Sequence, residues 1–127
     1  MLLQRSANRI IISSLAVLAM TLTSFAAHAH AVLVGSSVRD KLLTPQTEVI
    51  ATARFNVKIE TELTKVLLRN AKGEEKSLKL IADPARNVVR VKLPPLVPGT
   101  YLLEYKVLAA DGHYTAELVR FRVAQPH

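Results

Sequence analysis

The 127-residue chain has no cysteine. That excludes disulfide staples, thiolate metal sites and thiol redox chemistry. Its two methionines, Met1 and Met20, both lie near the start. A chain that lost its first 29 residues would therefore offer a metal no thioether ligand. Long periodic helices are missing, as are internal repeats and low-complexity tracts. The longest apolar stretch, residues 10–25, is about 16 residues, whereas spanning a bilayer takes ~20. The basic residues are not interleaved with stacking aromatics, which argues against nucleic-acid binding.

The beginning of the chain reads as an export signal. Arg5 and Arg9 supply positive charge, an apolar stretch follows, and Ala27-His28-Ala29 places small residues where a signal peptidase reads them. Residues 1–29 are accordingly expected to be a cleaved signal peptide and residues 30–127 one small mature domain. That domain would hold 98 residues, with 15 Lys+Arg against 10 Asp+Glu, a formal charge of +5. A solvated basic face is the ordinary reading of such a surplus, with attraction to an acidic partner or an anionic membrane surface as the sharper one. Without disulfides, its stability must come from an apolar core that a chain this short can build but not generously.

The rest of the sequence alternates with the period of β-strands. In 48–55, Val49, Ala51, Ala53 and Phe55 share one face, and Ile50 breaks the pattern. Residues 76–81 and 87–93 alternate likewise, 31–34 and 65–69 are short apolar runs, and 101–108 and 117–123 complete the set. Asn70–Glu74 with Gly73, Asp83-Pro84 and the Pro94–Gly99 stretch separate them. About seven short strands predict an all-β sandwich. Phe55, Tyr101, Tyr105 and Phe121 are its candidate core aromatics. Residues 60–68 leave room for one helical turn.

Two of the four histidines carry little weight. His28 is expected to leave with the signal, and His127 is the last residue. His30 would become the first residue of the mature chain, carrying a free α-amine and an imidazole together. His113 sits in Asp111-Gly112-His113. Taken alone this tripeptide is a turn sequence. On an extended segment, however, residues two apart project to the same side, which would aim the carboxylate and the imidazole together. An amine, two imidazoles and a carboxylate form an N3O set that suits tetragonal Cu(II), and by ligand type Zn(II) as well, with copper ranked highest at such a divalent site.

With these residues in view, the chain resembles the CopC family of periplasmic copper-binding proteins. The resemblance rests on the start "HAVLVGSSVRD", on "EVIATARF", on "LPPLVPGTYLLEYKVLAADGH" and on "ELVRFRV". It implies a Greek-key, immunoglobulin-like β-sandwich. It also implies one Cu(II) per chain, bound by the His30 amine and imidazole, the Asp111 carboxylate and the His113 imidazole. The implied role is a periplasmic carrier or buffer in copper homeostasis or resistance, not an enzyme. The implied partners are the copper ion and an inner-membrane copper-transport protein, with a soluble, monomeric mature domain and no nucleic acid.

The chain departs from the family pattern at several positions. The methionine-rich Cu(I) site of some members has no residues here. The frequent "F-S-E-P" stands as Phe55-Asn56-Val57-Lys58, so the glutamate is absent. Tyr105 replaces a frequent tryptophan, Tyr114 a frequent proline and Glu117 a frequent glycine. Two other readings compete. A terminal histidine with a second histidine also builds the copper brace of oxidative polysaccharide enzymes, although Asp111 would fill a position such an enzyme keeps open. A sandwich without a metal would be an interaction module.

Overall fold

The computed structural model describes residues 30–126. The expected signal peptide, His28 and His127 lie outside them. Nine strands form two facing sheets. In chain order they are β1 (Leu33–Ser36), β2 (Leu42–Leu43), β3 (Val49–Phe55), β4 (Lys65–Arg69), β5 (Glu75–Leu78), β6 (Leu80–Ile81), β7 (Val88–Leu93), β8 (Gly99–Leu108) and β9 (Tyr114–Val123). One sheet has the order β1-β3-β7-β6 and the other β2-β9-β8-β4-β5. The chain changes sheets between β1 and β2, β2 and β3, β3 and β4, β5 and β6, and β7 and β8, so the sandwich is all-β with Greek-key crossovers.

Alternation in the sequence becomes the inside and outside of the sandwich. On β3, Ala51, Ala53 and Phe55 are buried, while Ile50 is exposed on the outer face. Val89, Val91 and Leu93 of β7 face them across the register Ala53–Val89, Ala51–Val91 and Val49–Leu93. From the other sheet, β8 contributes Tyr101, Leu103, Tyr105 and Val107, and β9 contributes Val119, Phe121 and Val123. All four candidate core aromatics are buried. Tyr101 and Phe121 stack with centroids 5.4 Å apart, and Phe55 meets Tyr105 edge to face at 6.4 Å. Each fully buried large apolar side chain stabilises the fold by about 1.5–3 kcal/mol.

Two details of the strand pattern differ from expectation. The single run 76–81 is two strands, because the chain passes from one sheet to the other at Lys79. Leu78 pairs opposite Val66 and Leu80 opposite Val91. Both leucines face the core from opposite sheets, so a period of two continues across the crossing and hides it. The short β2, with Leu42 exposed and Leu43 half-buried, runs parallel to the end of β9. Two residues are too few to show a period. The turn at Asn70–Glu74 forms as expected: Asn70 Oδ1 accepts the Lys72 and Glu74 N–H groups at 3.0 Å, and Gly73 takes φ 82°. The helical turn expected in 60–68 is a 3-10 turn at Thr61–Leu63.

One core side chain is left unsatisfied. The Tyr105 hydroxyl is sealed inside without a hydrogen-bond partner, and burial pushes it up to about 12 from its ordinary 10.0. The folded state therefore disfavours the phenolate. Stability is held below pH 10 and falls as pH rises from 10 towards 12, because the unfolded chain releases this proton first. Tyr105→Phe keeps the ring and removes the unpaired hydroxyl. Denaturant unfolding is expected to show a gain of about 1–2 kcal/mol at neutral pH and a shallower alkaline decline than wild type.

Candidate metal centre

The site forms where the β8–β9 hairpin meets the start of the described chain. β8 ends at Leu108 and β9 begins at Tyr114. The intervening segment closes as a turn: Ala109 N–H donates to the His113 carbonyl, and Gly112 N–H to the Ala109 carbonyl, each at 3.0 Å. Gly112 takes φ 88°, a conformation costly for any side chain with a Cβ. Asp111 Oδ1 accepts the His113 backbone N–H at 3.0 Å. Asp111 and His113 thus come together through a tight turn in which the aspartate bonds the backbone two residues on, and not on the extended segment that the spacing suggested.

Within that turn, Asp111 Oδ2 lies 3.2 Å from His113 Nδ1, with the aspartate side chain 15% exposed and the histidine 52%. The Oδ2 atom itself is cut off from solvent without a well-aligned donor. The His113 backbone N–H, and then the His113 side chain and the nearby His30, hold the Asp111 carboxyl below its ordinary value, against the opposing effect of burial. The carboxylate is therefore ionised across the neutral range. A buried carboxylate oxygen flanked by two imidazoles suits a bound cation.

His30 arrives from the other sheet. Ala31 is fully buried and anchors the residue before it. The His30 and His113 rings meet edge to face, with centroids 5.1 Å apart. One ligand atom each from His30, Asp111 and His113 lies within 4.8 Å of the other two. Residues some 80 apart in sequence thus present two ring nitrogens and one carboxylate oxygen to one point. The arrangement can take a divalent metal with nitrogen and oxygen preference, and among first-row ions such a donor set favours copper.

The chain that follows β3 touches both halves of this site. Asn56 Oδ1 accepts the Val32 N–H at 2.7 Å, and the Asn56 N–H donates to the Val32 carbonyl at 3.0 Å. Further along, Ile59 bridges Ala109, and Glu60 N–H donates to the Leu108 carbonyl at 2.8 Å. Sequence reasoning passed over Asn56. The only signal was its place beside Val57 in the run Phe55-Asn56-Val57-Lys58, where attention falls on the absent glutamate. Val57 itself is packed against the core.

Comparison with known proteins fixes the family. The family model for the CopC domain matches residues 33–124. The chain belongs to the CopC family. Among solved structures, CopC from Methylosinus trichosporium OB3b is 22% identical and superposes with a TM-score of 0.61, over 74% of this chain and 93% of that one. PcoC, a methionine-rich copper resistance protein from Escherichia coli, is 17% identical with a TM-score of 0.59, over 76% of this chain and all of PcoC. The filamin domain of Lin-41, at 13% identity and a TM-score of 0.50, shares the immunoglobulin-like sandwich. No curated protein matches the sequence. This CopC-family chain differs from a methionine-rich member in having no methionine after Met20. Among its described residues, no helix is long and apolar enough to cross a membrane.

Proposed function

We propose that this CopC-family protein is a periplasmic carrier or buffer that binds one Cu(II) as its cargo. The observation that carries the proposal is the convergence of His30, Asp111 and His113 at one point, with the Asp111 Oδ2 atom shut off from solvent beside the imidazoles. Cleavage after Ala29 completes the set. It frees the α-nitrogen of His30, which in the 127-residue chain is a peptide nitrogen and a poor ligand. Amine and imidazole of one residue then chelate together, and Asp111 and His113 supply the other two donors. The resulting N3O set is the tetragonal kind that Cu(II) prefers. An unperturbed α-amine titrates near 7.7–8.0, so a metal displaces its proton close to neutrality.

Two features of the sequence support binding over turnover. The Asp111 carboxylate takes a position that an oxygen-activating copper site would leave open. Among the described residues, no serine, histidine and acid stand out as a nucleophile with its base. With no thioether beyond residue 29, the protein has no methionine-rich Cu(I) site. Delivery to an inner-membrane transport protein is the natural role for a small exported carrier, with copper, not nucleic acid, as its ligand.

Competition titration of the exported protein against a chelator of known affinity tests this function. One equivalent of Cu(II) is expected to bind. Protons compete for the same nitrogens, so affinity is expected to fall as the solution is acidified below neutral pH. Binding that ignores pH across that range contradicts a site built on imidazole and amine. So does sustained oxygen consumption by the loaded protein above free-copper controls, which points to an oxidative enzyme instead.

A further inference from the structure

We propose that Asn56 is a latch that positions the His30 half of the site, an inference that rests on the copper reading above. His30 precedes β1 and has no place in a sheet of its own. Between it and the first β1–β3 pair, Leu33 opposite Phe55, the chain is held by the two hydrogen bonds that join Val32 and Asn56. One is backbone to backbone. The other uses the Asn56 side chain as an acceptor, at 2.7 Å, across 24 residues of sequence. No strand ladder requires that second bond, because Asn56 lies beyond the end of β3.

The latch is itself held firmly. Phe55 N–H donates to the Asn87 carbonyl at 2.8 Å, and Asn87 Nδ2 donates back to the Phe55 carbonyl at 3.1 Å. A few residues on, Ile59 and Glu60 grip the end of β8, from which the Asp111–His113 turn springs. One short segment therefore carries both halves of the site. The segment grips the hairpin half through backbone contacts alone. It holds the His30 half through one backbone bond and the Asn56 side-chain oxygen Oδ1. Directly after Phe55 this chain places an asparagine whose side-chain oxygen ties down the segment bearing the terminal ligands.

A bidentate terminal residue binds strongly only if its nitrogens are kept near the other ligands, since effective concentration falls as the tether loosens. Loss of the side-chain bond is expected to free residues 30–32 while leaving the sandwich and the turn intact. Asn56→Ala removes the acceptor, and Asn56→Asp keeps an oxygen at the same reach.

The test has a metal-free and a metal-loaded arm. In the metal-free protein, amide exchange followed by NMR is expected to show Val32 protected in wild type, exposed in Asn56→Ala and protected again in Asn56→Asp, with the Asp111–His113 resonances unmoved throughout. In the loaded arm, Asn56→Ala is expected to lower Cu(II) affinity about tenfold, the equivalent of one ordinary hydrogen bond, and Asn56→Asp to recover it. Wild-type Val32 protection in Asn56→Ala overturns the latch. Lost protection with unchanged copper affinity overturns its role in positioning. A wild-type protein that shows the protection but takes up no Cu(II) brings down the copper reading itself, and the positioning role falls with it. Normal copper uptake with an indifferent Asn56→Ala removes the latch alone.

Discussion

His113→Ala is expected to lower Cu(II) affinity by ~100-fold or more, since even groups that merely support a metal ligand are worth 10–100-fold. The substitution is clean because His113 is half exposed, at 52%, and lies in a hairpin turn outside the core. Its backbone N–H still donates to Asp111 Oδ1, so the turn that presents the carboxylate survives. Thermal stability of the metal-free protein should change little, and competition titration should show the loss in copper binding alone. If affinity is unchanged, copper is held elsewhere, and the sandwich becomes an interaction module with a stray surface site.

The second large effect is expected from the other end of the site. Placing even two residues before His30, or retaining the residues that precede it, turns the α-amine into an amide. The site then loses one nitrogen and the chelate formed by a single residue, while His30, Asp111 and His113 keep their side chains. Affinity should fall by ~100-fold or more on the scale of losing a ligand, and the coordination should shift from N3O towards N2O. Intact mass of the exported protein identifies its first residue. A start at His28 would create a His-Ala-His terminus able to bind Cu(II) by itself, and copper binding would then survive His113→Ala.

Much of this architecture is legible in the sequence because burial in a sandwich has a period of two. The runs at 48–55, 87–93, 101–108 and 117–123 become strands β3, β7, β8 and β9 with alternating faces turned inward. The crossing at Lys79 is hidden because Leu78 and Leu80 keep the same period while belonging to different sheets. β2 has two residues and no period to read.

The site was legible for a different reason. Its residue types are rare in this chain, so His30, Asp111 and His113 stand out among four histidines and no thiol. Their spacing suggested an extended presentation, but Gly112 and the Asp111–His113 bond form a turn. Asn56 left no mark, because a hydrogen bond from one side chain to a backbone group 24 residues away follows no sequence pattern.

The central claim is that one Cu(II) is held by the His30 amine and imidazole with Asp111 and His113. Electron paramagnetic resonance during Cu(II) titration of protein that begins at His30 tests it most directly. The account predicts a single tetragonal signal with N3O character, saturating at one equivalent and lost in both His113→Ala and the N-terminally extended form. A heterogeneous signal that neither change alters would contradict it.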